Sequence, residues 1–224
     1  MALDNNTGRN RTMAFGKKAV QEGPISIAAP NFATIAIGIV GTAPYVCNNM
    51  GKSPEDIIPK KGPDAPNKKD RPAKDFDADF LASMHVDVKN NWVGIPAAAI
   101  RAALVRSAIL SKQEMTKIKQ VVFVEADGED KDGRGLVRIT KGKPQKFVCL
   151  VKNANGSTDA RSRAKFPTGW EATVRITYDA DVLRPEAVGN LLMRAGVSVG
   201  IGAGRPFSSN GAGCGWGTFT IRTK

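Results

Sequence analysis

The residues best suited to ligand chemistry lie near the C-terminus, in the glycine-rich segment from Gly196 to Gly217. Glycine allows backbone N–H groups to approach a phosphate closely and to turn toward it. In this segment Arg205 supplies a guanidinium group, and Phe207 and Trp216 supply aromatic faces on which bases can stack. The P-loop pattern GxxxxGK(S/T) is absent, and the glycines follow a predicted helix, whereas those of a dinucleotide-binding fingerprint open one. The segment therefore predicts part of a nucleic-acid site, with a flexible glycine-rich sheet edge as the structural alternative.

A second group of candidates is the basic run between residues 161 and 165. Alternate residues of an extended segment point to the same side, so Arg161, Arg163 and Lys165 would form one basic row. Lys152 and Arg175 flank this row in the sequence. Such a row can follow a phosphate chain, and a solvated loop is the alternative.

A third group lies on the strongest helix signal, the apolar stretch that follows Pro96. Proline suits the first turn of a helix, where its missing N–H is not needed. Apolar residues cover nearly the whole circumference of this helix and are interrupted only by Arg101 and Arg106, about 140° apart on the helical wheel. A helix of this kind is buried, so the two arginines need a counter-charge, a gap open to solvent or a phosphate of a ligand.

The composition describes a basic globular protein. In 224 residues, 33 Lys and Arg face 21 Asp and Glu, which gives a net charge of +12, and 42% of the residues are hydrophobic. The apolar fraction is enough to build a core, and the positive charge favours polyanionic partners.

The scarcity of ligating residues excludes whole classes of site. His85 is the only histidine, so neither a histidine-based catalytic triad nor a multi-histidine metal centre is expected, and its alternating surroundings predict a structural or surface role. Cys47, Cys149 and Cys214 are odd in number and widely spaced, which predicts neither a disulfide framework nor a zinc knuckle. We therefore expect no metal and no cofactor.

The sequence predicts a cytoplasmic location. The N-terminus has no charged region leading into an apolar stretch, so a signal peptide is not expected. The longest apolar run, from residue 32 to residue 46, is interrupted by glycines and a proline and is well short of the ~20 residues that span a bilayer.

Pattern changes along the chain suggest a basic arm and one domain. Residues 1–31 predict the arm, and residues 32–224 the domain. Two insertions interrupt the domain, a proline-rich finger at about 48–80 and a hairpin region at about 127–152. A solvated linker is the alternative interpretation of the finger. The hairpin is predicted because two strand-like runs, 135–140 and 146–151, flank a Lys-Gly-Lys-Pro turn signal.

The order of the remaining elements predicts the fold class. One strand–helix–strand passage covers 32–40, 96–110 and 121–125, and a second covers 170–178, 185–195 and 216–222. In the second passage Gly196 stands where a left-handed helix cap is expected. A doubled β-α-β order is typical of the α+β ferredoxin-like (RRM-type) fold, a βαββαβ core whose antiparallel sheet carries two helices on one face.

Two short motifs resemble one protein family. The segment from Ile95 to Leu104 resembles the helix start of the RAMP superfamily, the ferredoxin-like subunits that form the backbones of CRISPR effector complexes. The segment from Gly200 to Pro206, followed by Gly215-Trp-Gly-Thr-Phe, is similar to that superfamily's glycine-rich loop and last strand. The stretch from the first strand to the C-terminus also resembles a group of phage-encoded RAMP-like proteins, through Gly41–Tyr45 and through Arg161–Phe166 followed by a tryptophan.

The resemblance implies that both motifs and the finger contact nucleic acid. Together with the basic row, it gives these predicted contacts: Arg101, Arg106, Lys152, Arg161, Arg163, Lys165, Gly202, Gly204, Arg205, Phe207 and Trp216. The predicted function is sequence-nonspecific binding of single-stranded DNA or RNA, as a homo-oligomer or filament of phage type in the host cytoplasm, with no enzymatic activity. Two alternatives remain open: a CRISPR backbone subunit that binds guide RNA, and a virion-associated structural protein.

A cluster of acidic residues raises a further alternative, a magnesium-dependent nuclease. Asp127, Glu129, Asp130 and Asp132 lie close together in the sequence, but their spacing does not match a calcium loop. A hydrophilic turn is the simpler interpretation.

Overall fold

The fold is built around one large antiparallel sheet. The computed structural model describes residues 27–49, 74–152, 156, 158–208 and 213–222. In these residues the strands are β1 (Phe32–Gly41), β2 (Tyr45–Val46), β3 (His85–Val86), β4 (Val93–Pro96), β5 (Val122–Val124), β6 (Gly128–Glu129), β7 (Gly135–Lys141), β8 (Gln145–Lys152), β9 (Thr158–Phe166), β10 (Glu171–Asp179) and β11 (Phe219–Ile221). The α-helices are α1 (Phe76–Ala82), α2 (Ala97–Ser107), α3 (Met115–Val121) and α4 (Pro185–Arg194).

The strand order of the large sheet is that of the ferredoxin-like fold. The strands run β11-β1-β10-β7-β4-β3, and β5 pairs with β10 beside β7. The four core strands in chain order are β1, then β5 together with β7, then β10, and last β11. Side by side in the sheet they stand in the order fourth, first, third, second. All these pairs are antiparallel, with α2 and α4 as the two connecting helices. The predicted α+β, ferredoxin-like βαββαβ core is confirmed.

The core lies between this sheet and its helices. On β10 the residues Ala172, Val174, Ile176 and Tyr178 are buried, as their alternation in the sequence predicts, because every second side chain of a strand faces the same side. The helices pack together on that side, where the Ser107 hydroxyl of α2 donates to the Leu191 carbonyl of α4 at 3.2 Å.

The end of α4 differs from the prediction. Gly196 is not a left-handed cap, because the helix continues as a π-helical turn over Ala195–Val199 and the chain reverses at Gly200, where φ is +68°. Glycine is required at 196 for another reason: a Cβ there would lie 2.1 Å from the carbonyl oxygen of Phe219.

The predicted hairpin between β7 and β8 is wrong. Both edges of β7 are occupied, by β10 and β6 on one side and by β4 on the other. The chain therefore leaves the large sheet after Lys141, and β8 pairs with β9 over its whole length, from Gln145↔Lys165 to Lys152↔Thr158. With β2 these strands form a second, three-stranded sheet in the order β2-β9-β8.

The predicted finger lies mostly outside the described residues, which resume at Lys74. Its C-terminal part is not finger-like, because residues 76–82 form α1, which packs on β9. Asp75 caps α1 by accepting hydrogen bonds from the amides of Asp77 and Ala78. Of the predicted N-terminal arm, residues 1–26 also lie outside the described part.

Candidate nucleic-acid interface

A cavity of about 530 Å³ lies between α2, α3 and the loop that follows the π-helical turn. Its floor is apolar and includes Ala102, Val105 and Ile201. Five of the residues predicted from the sequence line it, although they come from two segments about 100 positions apart: Arg101, Arg106, Gly202, Arg205 and Phe207.

Arg101 is held by backbone carbonyls. Its Nε donates to the carbonyl of Val122 at 2.9 Å and its Nη2 to that of Lys119 at 2.5 Å. Its guanidinium carbon also lies 4.9 Å from the ring centroid of Phe123. Arg101 therefore links the junction of α3 and β5 to α2. The two carbonyls are the partners that an arginine on a mostly buried helix requires. Only part of its guanidinium faces the cavity.

Arg106 has a different environment. Its guanidinium carbon lies 4.0 Å from the ring centroid of Phe207, a close cation–π contact. Its only other polar neighbour among the described residues is the sulfur of Met115, at 4.0 Å. The charge of Arg106 is therefore available to an anion, and Phe207 holds it at the cavity.

Arg205 and the glycines around it form a fixed loop. The Nη1 of Arg205 donates to the Gly202 carbonyl at 3.1 Å. Two carbonyls anchor the loop: the Ala203 amide donates to that of Val46 on β2 at 2.9 Å, and the Ile201 amide donates to that of Gly217 in the turn before β11 at 3.0 Å. Backbone hydrogen bonds therefore hold Ile201 and Ala203 to their neighbours.

The conformation of the loop requires glycine. Gly202 and Gly204 have φ angles of +76° and +70°, in the left-handed region that other residues rarely adopt. A Cβ on Gly204 would lie 2.6 Å from the indole of Trp216. Gly204 is therefore the point where the loop touches Trp216, which leads to a second group of predicted residues.

That second group lies on β9. Arg161, Arg163 and Lys165 are half-buried and alternate with the buried residues Ser162 and Ala164, so they share one face as predicted. In the register with β8, Arg163 lies opposite Phe147. We call Arg161, Arg163, Lys165, Phe147 and Trp216 the β9 face.

Aromatic rings and a lysine close the β9 face toward the glycine loop. The rings of Phe147 and Trp216 meet edge to face, with centroids 5.5 Å apart. The Nζ of Lys165 lies 4.5 Å from the Phe147 centroid and 5.5 Å from that of Trp216. Trp216 therefore lies between Gly204 of the glycine loop and Lys165 of the basic strand.

The charges on β9 are unequally screened. The Nε of Arg161 is 3.3 Å from the carboxylate of Asp159, which also binds Lys74. Burial, and then the charge of Arg161, lower the pKa of Arg163, although a guanidinium remains protonated at neutral pH. Burial raises the pKa of the neighbouring Cys47 thiol to about 12, so this thiol stays neutral.

Some predicted neighbours lie elsewhere. Trp170, the tryptophan that follows the basic row, is fully buried in the core. Arg175 is on the opposite face of the large sheet, bound to Glu125 and Asp127. The side chain of Lys152 lies outside the described residues.

The prediction missed three contributors. Lys119 and Met115 line the cavity from α3, and Phe147 reaches the β9 face from β8. Phe147 is recognisable only once β8 is paired with β9, since the register puts it opposite Arg163.

The acidic cluster is a turn. Asp127 binds Arg175, and Asp130 is buried against His85, with 3.0 Å between Oδ2 and Nδ1. Asp130 Oδ1 accepts from the amides of Asp132 and Arg134, which closes the turn. Across the described ranges, no three His, Cys, Asp or Glu side chains gather where they could hold a metal ion.

Comparisons with known proteins give only a distant likeness. No model of a protein family matches the chain, and no curated protein matches it. Among solved structures, the crystal structure of Cmr6 from Pyrococcus furiosus matches with a TM-score of 0.41 and 10% sequence identity, covering 86% of this chain and 99% of that one.

No helix within the described ranges combines the length and the apolar character that a membrane span needs.

Proposed function

We propose that this chain binds single-stranded nucleic acid along one surface that runs from the cavity, over the glycine loop, to the β9 face. The observation that carries the proposal is the charge of the cavity. Four cationic side chains line it (Arg101, Lys119, Arg106 and Arg205), and none of the described lining residues is a carboxylate. An apolar, cationic cavity suits an anion with a planar apolar part, which describes a nucleotide unit.

The aromatic residues support binding to a single strand. Phe207 borders the cavity, and Phe147 and Trp216 border the β9 face. Unpaired bases stack on such rings, whereas a duplex keeps its bases stacked inside. Every base has an aromatic face, so binding of this kind has little sequence preference. The net charge of +12 adds a general attraction to phosphates.

The place where the two family-like motifs meet supports a RAMP-type protein. The helix start at 95–104 and the glycine-rich loop at 200–206 are far apart in the sequence, yet both line the cavity. Of the two biological settings, we propose the phage-type coating protein, without enzymatic activity. A CRISPR backbone subunit that binds guide RNA uses the same motifs and is the second candidate.

Salt-dependent binding of labelled single strands tests the proposal. By fluorescence anisotropy we expect binding at about 50 mM salt that weakens steeply toward about 200 mM, because released counterions drive the association. In the double variant Arg161→Ala/Arg205→Ala, the slope of log K against log salt should fall by about 1.4, since each phosphate contact contributes about 0.7 for single strands. Folding should be unchanged by circular dichroism.

A charge-matched control separates local contacts from overall charge. Arg184 and Arg194 are exposed and line neither the cavity nor the β9 face, so Arg184→Ala/Arg194→Ala should keep most of the affinity. No binding at about 50 mM salt, or equal losses in both double variants, would contradict the proposed surface. Binding to one defined guide RNA and to no other strand would favour the second candidate.

A further inference from the structure

A second cavity lies on the opposite face of the large sheet. Its volume is about 590 Å³, and it opens where Thr173 and Arg175 of β10 point away from the core. The residues around it are polar except for Trp92: Asn90, Asp127, Arg138, Thr140, Thr173 and Arg175. None of them belongs to the cavity beside α2 or to the β9 face.

Trp92 is held in place by two glycines. A Cβ on Gly94 would lie 2.8 Å from Cζ3 of the indole, and a Cβ on Gly128 would lie 2.7 Å from Cζ2. The benzene half of the ring therefore packs directly on the backbone of β4 and β6, where any other residue would displace it. The tryptophan is only half-buried, so the rest of the ring borders the cavity.

The two arginines of this cavity differ in their partners. Each of the three nitrogens of Arg175 has an acceptor: the carboxylates of Glu125 and Asp127 at 3.0 and 2.6 Å and the carbonyl of Ala126 at 2.9 Å. Arg138, in contrast, has an exposed side chain with no acidic partner in the described part of the chain. Its guanidinium carbon lies 6.0 Å from the centroid of Trp92.

We propose that this cavity is a second nucleotide-binding site, in which a base stacks on Trp92 and its phosphate binds Arg138. A fixed aromatic ring next to an unpaired guanidinium is the combination that binds one unit of a strand. The charge of Asp127 is partly offset by its ion pair with Arg175, which Glu125 shares. The site does not depend on the interface proposed above, and since it lies across the sheet, one subunit could hold two segments of strand.

Photo-cross-linking of the unmodified protein tests the site. A single strand that carries 5-iodouracil is bound and irradiated, and the adducts are mapped by mass spectrometry. We expect adducts on Trp92 that persist in Arg106→Ala/Arg205→Ala, because these arginines lie across the sheet. A bound strand that gives no adduct on Trp92, or adducts that disappear in that variant, would overturn a second site.

Tryptophan fluorescence identifies the ligand. In Trp216→Phe the remaining tryptophans are Trp92 and the buried Trp170, so stacking should quench Trp92 alone. The matched control is Trp92→Phe/Trp216→Phe, which should show no quenching. Quenching by thymidine monophosphate indicates a site for a free nucleotide, and quenching by oligothymidine alone indicates a strand.

If neither ligand quenches Trp92, the second site is overturned. This outcome is independent of whether labelled strands bind the first interface in the anisotropy experiment. Arg138→Gln should lower the affinity for whichever ligand quenches Trp92 on the order of 10-fold, the loss expected for one charge-assisted phosphate contact.

Discussion

At the scale of single residues, Arg101 and Arg106 show how similar side chains on one helix acquire different roles. Arg101 satisfies two carbonyls at the end of α3 and the start of β5. Arg106 touches a ring and a sulfur atom and binds no carbonyl or carboxylate among the described residues. The first side chain therefore contributes mainly to the fold, and the second is left for a ligand.

Alanine substitutions should separate these roles. Arg101→Ala should lower the free energy of unfolding by about 1–2 kcal/mol, since it removes hydrogen bonds from a charged donor to two carbonyls. Arg106→Ala should cost no more than about 1 kcal/mol, the value of an exposed cation–π contact, but should weaken strand binding. Urea denaturation and anisotropy measure the two effects, and a larger loss of stability in Arg106→Ala would reverse our assignment.

At the scale of elements, the described part of the glycine-rich loop is hydrogen-bonded to β2 and to the turn before β11. Its amides bind the carbonyls of Val46 and Gly217, and Gly204 packs on Trp216. The position of Trp216 against Phe147 therefore depends on the shape of this loop.

Two glycine substitutions should test this dependence. Gly204 and Gly215 both have positive φ angles, +70° and +75°, but a Cβ on Gly215 meets nothing within 4 Å. Gly215→Ala should therefore cost only the backbone strain, about 1–2 kcal/mol. Gly204→Ala should cost about 1–3 kcal/mol more, because it displaces the indole, and should also weaken binding. Thermal unfolding and anisotropy of both variants provide the test, and equal effects would show that the Trp216 contact is unimportant.

A second element-scale feature is the buried pair of His85 on β3 and Asp130 in the turn after β6. Burial by itself raises the pKa of Asp130, but the hydrogen bonds from His85 and from the amides of Arg134 and Asp132 outweigh it, so the pKa is lowered. A carboxyl whose pKa is lower in the folded state stabilises the protein at every pH above its pKa in the unfolded chain, which is about 4. This stabilisation is lost as the pH falls from there through the pKa of the folded state.

The variant Asp130→Asn should therefore be less stable than the unmodified protein at pH 7. The difference should shrink below about pH 4, where the carboxyl becomes protonated. Urea midpoints measured across this range check the prediction, and a difference that is constant with pH would contradict it.

At the scale of the whole molecule, the charge of +12 and the proposed binding surface suit repeated binding along a strand. On long single-stranded DNA or RNA we expect regular filaments in negative-stain electron microscopy. The variant Arg106→Ala/Arg205→Ala should form no filaments. If the unmodified protein gives only isolated particles on a strand that it saturates, the filament prediction is contradicted.

The order of the elements, and with it the ferredoxin-like class, follows from patterns along the sequence. The alternation on β10 is a local periodicity, and it indicates which side of that strand is buried. The helix around Arg101 has no such periodicity, because it is apolar on nearly all sides. The basic row can be read from the sequence as a local concentration of charge, and the binding roles of Arg106 and Arg205 stay predictions. Their convergence with the glycines was predicted from the resemblance to a family.

The pairing of the strands and the contacts of each charged group became known from the folded chain alone. The turn signal at 141–144 could not show that both edges of β7 are already occupied, so β8 was assigned to the wrong partner. The place of Phe147 beside Trp216, the carbonyls bound to Arg101 and the exposed ring of Trp92 depend on the same kind of long-range contact. Strand pairing is chosen among all the edges left free in the folded chain, and residue spacing along a single segment does not contain that choice.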